Sequence, residues 1–213
     1  MTSGKFLLSP AYFPPLHYFS VIAAAEKVFI EKEESYIKQT YRNRCRIYSS
    51  NGPMILSVPV LEGSIHKIKF RDVKIDYTKR WQQVHIRAIE SSYRASPYFE
   101  FYFDKIRSVI EAGNEYLSEL NHNSLITTLG ITGIEKTIEY TDSFEKPVGD
   151  PNDYRYTISP KKTDSKTISG FQKYPQVFSE RFGFIPGLSI LDLIFNMGPD
   201  SSEIIRKSFP SGI

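Results

Sequence analysis

The chain has one cysteine, Cys45, and one tryptophan, Trp81, in 213 residues. A single thiol rules out an internal disulfide and a zinc site built on several cysteines. Charge of one sign is also short: 27 Lys and Arg stand against 24 Asp and Glu, for a formal net charge of +3. That balance excludes a strongly basic nucleic-acid binder, while leaving room for a local cationic pocket. No long apolar run exists. The uncharged stretch at residues 6–25 is broken by Pro10, Pro14, Pro15 and His17. It is too interrupted to span a bilayer, and the shorter run before Pro10 is too brief for a signal peptide. A cytoplasmic protein without membrane insertion is expected. The four histidines, His17, His66, His85 and His122, show no metal-ligand spacing. Gly-Lys-Ser/Thr, Gly-x-Gly-x-x-Gly and Gly-x-Ser-x-Gly motifs are missing as well, so neither a metal nor a cofactor is expected.

What is present is globular. Hydrophobic residues make up 40% and charged residues 24%, too apolar for a disordered chain. Fourteen tyrosines and 15 phenylalanines exceed the needs of a plain core. Surplus tyrosine suits a polar groove, because each ring has an apolar face and a hydroxyl tip.

The order of segments predicts an α/β fold. Residues 6–9 read as a strand, Pro14 and Pro15 open a helix carried by Leu16, Phe19, Val21 and Ile22, and residues 27–31 read as a second strand. Proline in a first helical turn sacrifices no hydrogen bond, and strand, helix, strand in so few residues is a parallel βαβ unit. Asn51-Gly52 lies between two β-prone runs, 44–49 and 54–60, which predicts a hairpin in a mixed sheet. Pro53 and Pro59 place its second strand at an edge or bulge. Residues 67–76 alternate and predict a further strand with a bulge near Arg71 and Asp72. A mostly helical half follows, with helices expected over 81–93, from Pro97, and over 114–130, then a strand at 136–141. Residues 142–170 are polar and Pro-rich and read as a long loop or flap of a single domain spanning 1–213. Residues 188–196 predict a short apolar helix, with Ser189 and Asp192 as a capping box.

Candidate chemistry gathers in two places. Lys38, Arg42 and Arg44 interleave with Tyr41 and Asn43, and on a strand Arg42 and Arg44 share a face. Two guanidinium forks there make an anion site, or a charged edge strand that resists aggregation. Trp81 and His85 are four apart on one helix face, which suits a histidine acid or base against an indole wall, or a half-buried core histidine. Cys45 lies between Arg44 and Arg46, where charge could lower a thiol pKa, though a strand cysteine is commonly inert packing. Ligands of open α/β sheets gather at the carboxyl ends of strands. The expected pocket is therefore walled by Tyr12, on the turn after the first strand, with Lys38, Arg42, Asn43 and Arg44. Trp81 and the catalytic candidate His85 stand at its edge. On that reading, Arg42→Ala and Arg44→Ala weaken ligand binding and spare the fold.

Several separated motifs resemble the WbqC-like protein family. The opening Leu8-Ser-Pro-Ala-Tyr12-Phe-Pro14 is similar to its Gln-Pro-Asn-Tyr-Leu-Pro start, with Ser9 in place of the Gln. Tyr41-Arg42-Asn43-Arg44-Cys45-Arg46-Ile47 resembles its Asn-Arg-Asn-x-Ile segment, and Leu56-Ser-Val-Pro59-Val60 its Leu-Thr-Val-Pro-Val strand. Trp81 with His85 resembles its Trp-x-x-x-His helix, and Leu188-Ser-Ile-Leu-Asp192-Leu-Ile-Phe-Asn196-Met-Gly198 its last block. The resemblance implies a role in surface polysaccharide or O-antigen biosynthesis, with a suggested glycine-transferring activity. The expected function is a transferase acting on an anionic sugar nucleotide or polysaccharide precursor. The alternative is a non-catalytic carbohydrate- or phosphate-binding protein. The partner is an anionic small molecule, not a nucleic acid, and the oligomeric state stays open.

Overall fold

The computed structural model describes residues 4–61, 68–160 and 171–209. The chain begins with the expected βαβ unit: β1 (Lys5–Leu8), α1 (Leu16–Ala24) and β2 (Lys27–Ile30). β1 and β2 pair in parallel, Lys5 with Lys27 through Leu8 with Ile30. β5 (Ile138–Tyr140) joins the other side of β2, also in parallel, so the sheet order is β1-β2-β5. All three strands therefore end on one side of the molecule, at Leu8, Ile30 and Tyr140.

The hairpin is β3 (Arg44–Ser49) and β4 (Gly52–Ser57), with the turn at Ser50 and Asn51. It forms a two-stranded sheet of its own and does not join the parallel one. The helical half follows as α2 (Trp81–Tyr93), α3 (Phe99–Glu111) and α4 (Leu117–Thr132), with α5 (Ser179–Phe182), α6 (Ile190–Met197) and α7 (Ser201–Lys207) near the end. α4 stops at Gly133, which takes the left-handed conformation at φ 66°, open to glycine without a Cβ penalty. No described helix is long and apolar enough to cross a membrane.

Two cores meet on α6. One packs Phe6, Leu8, Ile22, Val28 and Ile30 of the parallel unit with Leu193 and Ile194. The other packs Ile47 and Leu56 of the hairpin with Ile89, Tyr93, Phe99 and Ile106, together with Leu191 and Phe195. α6 is mostly apolar because both cores cover it, with Asp192 the one buried acid on it. Truncating Phe195 should cost about 3–5 kcal/mol. Past α6, Gly198 lies against the Tyr98 ring, where any Cβ would collide.

Two local expectations are corrected. The alternating segment ending at Asp76 is not a strand: Phe70–Asp72 is a turn of 3-10 helix, and only isolated bridges (Ser35 to Lys69, Val60 to Ile75, Lys74 to Tyr116) hold the stretch. Its Phe70, Val73 and Ile75 are buried by a winding path rather than by a pleat. Asp192 does not reach back to Ser189. Ser189 caps α6 by accepting from the Leu191 amide, and its own amide donates to the Arg46 carbonyl at 2.7 Å. Asp192 is instead fully buried and accepts from the Tyr174 hydroxyl at 2.8 Å and Gln176 Nε2 at 3.0 Å. The polar stretch after β5 is anchored in part. Leu7 donates to Asn152 and accepts from Tyr154, which ties residues 152–154 to the free edge of β1. Residues 161–170 of the expected flap lie outside the described residues.

Candidate functional site

Where β2 ends, the chain runs Glu31-Lys32-Glu33-Glu34. The three carboxylates are buried, and a buried charge needs a partner. Each has one. Glu31 accepts from Arg155 Nη1 at 3.1 Å and from the Thr141 hydroxyl at 2.8 Å. Glu33 takes both Lys69, at 2.8 Å, and Arg71, at 2.5 Å. The Lys69 bond and the two positive charges hold the Glu33 carboxyl below its usual range. Glu34 accepts from Arg42 Nε at 3.0 Å, pairs with Arg42 Nη2, and accepts from the Tyr156 hydroxyl at 3.1 Å. Arg155 is held in turn by Asp153, at 2.9 and 2.7 Å. The run that looks like a solvated acidic patch in sequence is the polar floor under the strand ends.

A cleft of about 600 Å³ opens at the strand ends, with Lys32 and Arg71 in its lining. All three parallel strands contribute to it at their carboxyl ends: Pro10 and Ala11 after β1, Ile30 and Lys32 at the end of β2, and Tyr140 at the end of β5. α4 supplies the facing wall with Ser118, Glu119, Asn121, His122 and Asn123, and Arg71 stands at the side. The Tyr140 oxygen and His122 Nδ1 are 2.6 Å apart. The Lys32 ammonium lies over the Tyr140 ring, 5.8 Å from its centre, and forms no salt bridge among the described residues. Burial pushes the Tyr140 phenol up to about 12. Asn121 is buried; its Nδ2 donates to the Arg42 carbonyl at 2.9 Å, and its Oδ1 has no partner among the described residues. Lys32, in no salt bridge among the described residues, and Arg71 bring two cations to the lining, against the carboxylate of Glu119, beside a row of amide and hydroxyl groups. Such a lining suits an anionic, hydroxyl-rich ligand.

The residues singled out from sequence do not form one pocket. Lys38 and Arg42 line a second, smaller cleft of about 180 Å³ on the far side of Pro10, Ala11 and Tyr18. There Lys38 is exposed. Arg42 is committed to Glu34, to the Ser9 hydroxyl at 2.7 Å and to Thr40 at 3.1 Å. Asn43 donates to the Val58 carbonyl at 3.1 Å. Arg44 opens β3 opposite Ser57 and is half-buried, its Nε unpartnered among the described residues. Because Arg42 lies before β3 starts, the two guanidiniums do not share a strand face. Trp81 and His85 line a third hollow, about 300 Å³, between β4 and α2.

Tyr12 and His85 do meet, but in the core. The Tyr12 oxygen lies 2.9 Å from His85 Nδ1, and His85 Nε2 lies 3.2 Å from the Ser57 carbonyl. A carbonyl only accepts, so Nε2 carries the proton and Nδ1 accepts from Tyr12. Both residues are buried. Burial lowers His85 to about 4 and raises the Tyr12 phenol well above its usual value. Cys45 is buried too, and desolvation raises its thiol rather than lowering it. The flanking arginines do not reach it because neighbours on a strand point to opposite faces.

Sequence reasoning missed Lys32, His122 and Tyr140. The signal was there for two of them. Lys32 follows β2 and Tyr140 ends β5, and the rule that placed Tyr12 near a site applies equally to the ends of those strands. His122 carried no signal of its own, since nothing in sequence brings α4 against Tyr140.

The comparisons with known proteins place the chain in a family without adding a chemistry. No solved structure matches the chain. A relative in Mycobacterium tuberculosis, the uncharacterized protein Rv1507c, is 30% identical over 223 aligned residues, covering 92% of this chain and 94% of that protein. The WbqC-like protein family matches residues 9–170. That span starts at the residue after β1, takes in β2 through β5, and includes every residue that lines the cleft at the strand ends. The chain belongs to the WbqC-like protein family.

Proposed function

We propose that this protein is a transferase acting on an anionic sugar nucleotide or related polysaccharide precursor in surface polysaccharide biosynthesis of the O-antigen type. Glycine is the proposed transferred group, and the precursor sits in the cleft at the strand ends. The observation that carries the reading is the unpaired Lys32 ammonium beside the His122–Tyr140 pair, in a cleft built by all three strand ends. Lys32 and Arg71 offer charge-assisted bonds to a phosphate, worth more than a neutral bond. Asn121, Asn123 and Ser118 face the sugar. If His122 Nδ1–H donates to the Tyr140 oxygen, Nε2 is free to take a proton from an acceptor amine or hydroxyl. The acceptor atom then bonds to the glycyl carbonyl carbon, and the activating group leaves with its electron pair.

The test is to incubate the pure protein with sugar nucleotides and an activated glycine and follow products by mass spectrometry. A glycyl-sugar product that disappears in Lys32→Ala supports the reading. Saturable binding of the sugar nucleotides with no turnover across the panel would replace it with a second one, a non-catalytic carbohydrate- or phosphate-binding protein. That second reading is favoured by one observation: the histidine and the thiol best marked in sequence, His85 and Cys45, are both sealed in the core.

A further inference from the structure

The hollow between β4 and α2 has no part in the reading above, yet three unrelated features converge on it. The first is an open strand edge. Val58 donates to the Asn43 carbonyl at 2.8 Å, so the residue pair just beyond the hairpin end is hydrogen-bonded, and paired residues alternate from there. Ile55 and its partner Arg46 then fall on a pair whose backbone groups turn outward. Arg46 confirms the phase, since its carbonyl accepts from Ser189 at 2.7 Å on the outer side of β3. The amide and carbonyl of Ile55 point the other way, off the free side of β4, and no described residue takes either. The neighbouring outward carbonyl, that of Ser57, is already met by His85.

The second feature is an orphan donor. Trp81 lines the hollow and is buried, and its indole N–H has no partner among the described residues. A buried indole N–H normally finds an acceptor. The third is charge set around exposed apolar surface. Ile55 is 58% exposed and Val84 59% exposed, with Pro59 between them and Lys79 and Arg80 at the rim. Neither cation is in a salt bridge among the described residues.

We propose that this hollow binds an extended peptide segment of a partner protein, one that alternates apolar and acidic residues and adds as a strand to the free edge of β4. Strand addition gives affinity through main-chain bonds and specificity through alternate side chains. Here the main chain meets Ile55, the apolar positions fall on Val84 and Pro59, and the acidic positions meet Lys79 and Arg80. The segment lies against the Trp81 ring that lines the hollow. Charge complementarity selects this occupant over a second copy of the chain, which would set Lys79 and Arg80 against their own counterparts.

Trp81 is the only tryptophan, so its fluorescence reports this hollow alone. The probe is an end-capped peptide of alternating valine and glutamate, with its valine–lysine counterpart as control. The glutamate peptide should shift Trp81 emission saturably, and the lysine peptide should not. Arg80→Glu should weaken the response about ten-fold or more. Ile55→Pro should abolish it while circular dichroism stays unchanged, because the amide it removes lies outside the hairpin ladder. No emission change with either peptide, or an equal response to both, overturns the proposal. So does an unaltered response in Arg80→Glu, a variant of an exposed residue whose folding is not at stake. Two further results would reassign the face: a dimer by light scattering that Ile55→Pro dissolves, or an emission change with anionic phosphatidylglycerol vesicles in place of the peptide.

Discussion

His122 and His85 mark two regions that use similar residues to opposite ends. Around His122, a tyrosine, a lysine and several amides stand at the carboxyl ends of parallel strands, where the chain leaves the sheet. Strand ends and α4 face each other there across an open cleft, so the side chains stay open to a ligand. Around His85, a tyrosine and a tryptophan are pressed between a helix and a hairpin. Both ring nitrogens of His85 are bonded, and burial keeps it neutral. The difference teaches that residue type does not make a reactive histidine. What decides is whether the surrounding elements close over it. The arginines divide in the same way: Arg42 is sealed on a carboxylate, while Arg71 shares its carboxylate with Lys69 and remains 46% exposed.

The largest effect is expected where charge is sealed in. Arg42→Ala leaves the Glu34 carboxylate buried with the Tyr156 and Ser9 hydroxyls as its remaining donors. Removing one partner of a buried pair costs about 3–5 kcal/mol. Urea unfolding should therefore show a much lower midpoint, contrary to the sequence expectation that this arginine is dispensable for folding. Should Arg42→Ala unfold within about 1 kcal/mol of the parent, the pair is no more than a surface contact and Arg42 returns to the list of ligand-binding residues.

The next effect is a pH dependence. His85 falls from an ordinary 6.5 to about 4 in the folded protein. The unfolded chain thus binds a proton that the folded one refuses, and stability falls as pH drops from about 6.5 toward 4. A shift of that size corresponds to about 3 kcal/mol across the window. His17, lowered to about 4 by burial, acts in the same direction. His85→Phe should flatten the acid limb in part, measured as unfolding free energy against pH. An acid limb of unchanged slope would mean that His85 already titrates normally and is open to solvent. Tyr12→Phe is a gentler probe of the same contact. It leaves His85 Nδ1 buried and unpaired, at about 1–3 kcal/mol.

How much of this was legible follows from range. The βαβ unit, the hairpin and the helices are written in local periodicity and in Pro14, Pro15 and Asn51-Gly52, so they could be read from the sequence. The pocket could not, because it depends on which face of each element is covered. Arg42 and Arg44 share a face only if both lie on a strand, and the strand starts at Arg44. The interval from Trp81 to His85 places both on one helix face, correctly, but nothing local says that the hairpin lies on it. The Glu31-Lys32-Glu33-Glu34 run has the composition of a solvated turn. Its partners Arg71 and Arg155 are 38 and 124 residues away from the glutamates they hold, a distance at which pattern carries no information.

The smallest effect on folding, and the sharpest contrast with Arg42, is expected at His122. It is exposed, and its bond to the Tyr140 oxygen spans a cleft wall rather than a core. Replacing an exposed residue of this kind shifts stability by no more than about 0.5 kcal/mol, so His122→Asn should unfold with the parent in urea. Lys32→Ala should do the same, since its ammonium holds only an aromatic face. The two variants should then part in ligand binding. With uridine diphosphate as the probe in calorimetry, Lys32→Ala loses a charge-assisted contact of about 1.5–3 kcal/mol, a loss of about ten-fold to a hundred-fold in affinity. His122→Asn, which removes a proton acceptor and no charge, should bind the probe nearly as well as the parent. If His122→Asn destabilises the fold as Arg42→Ala does, the two regions are not different in kind, and the cleft is part of the scaffold. If Lys32→Ala binds the probe unchanged, the anion is held elsewhere.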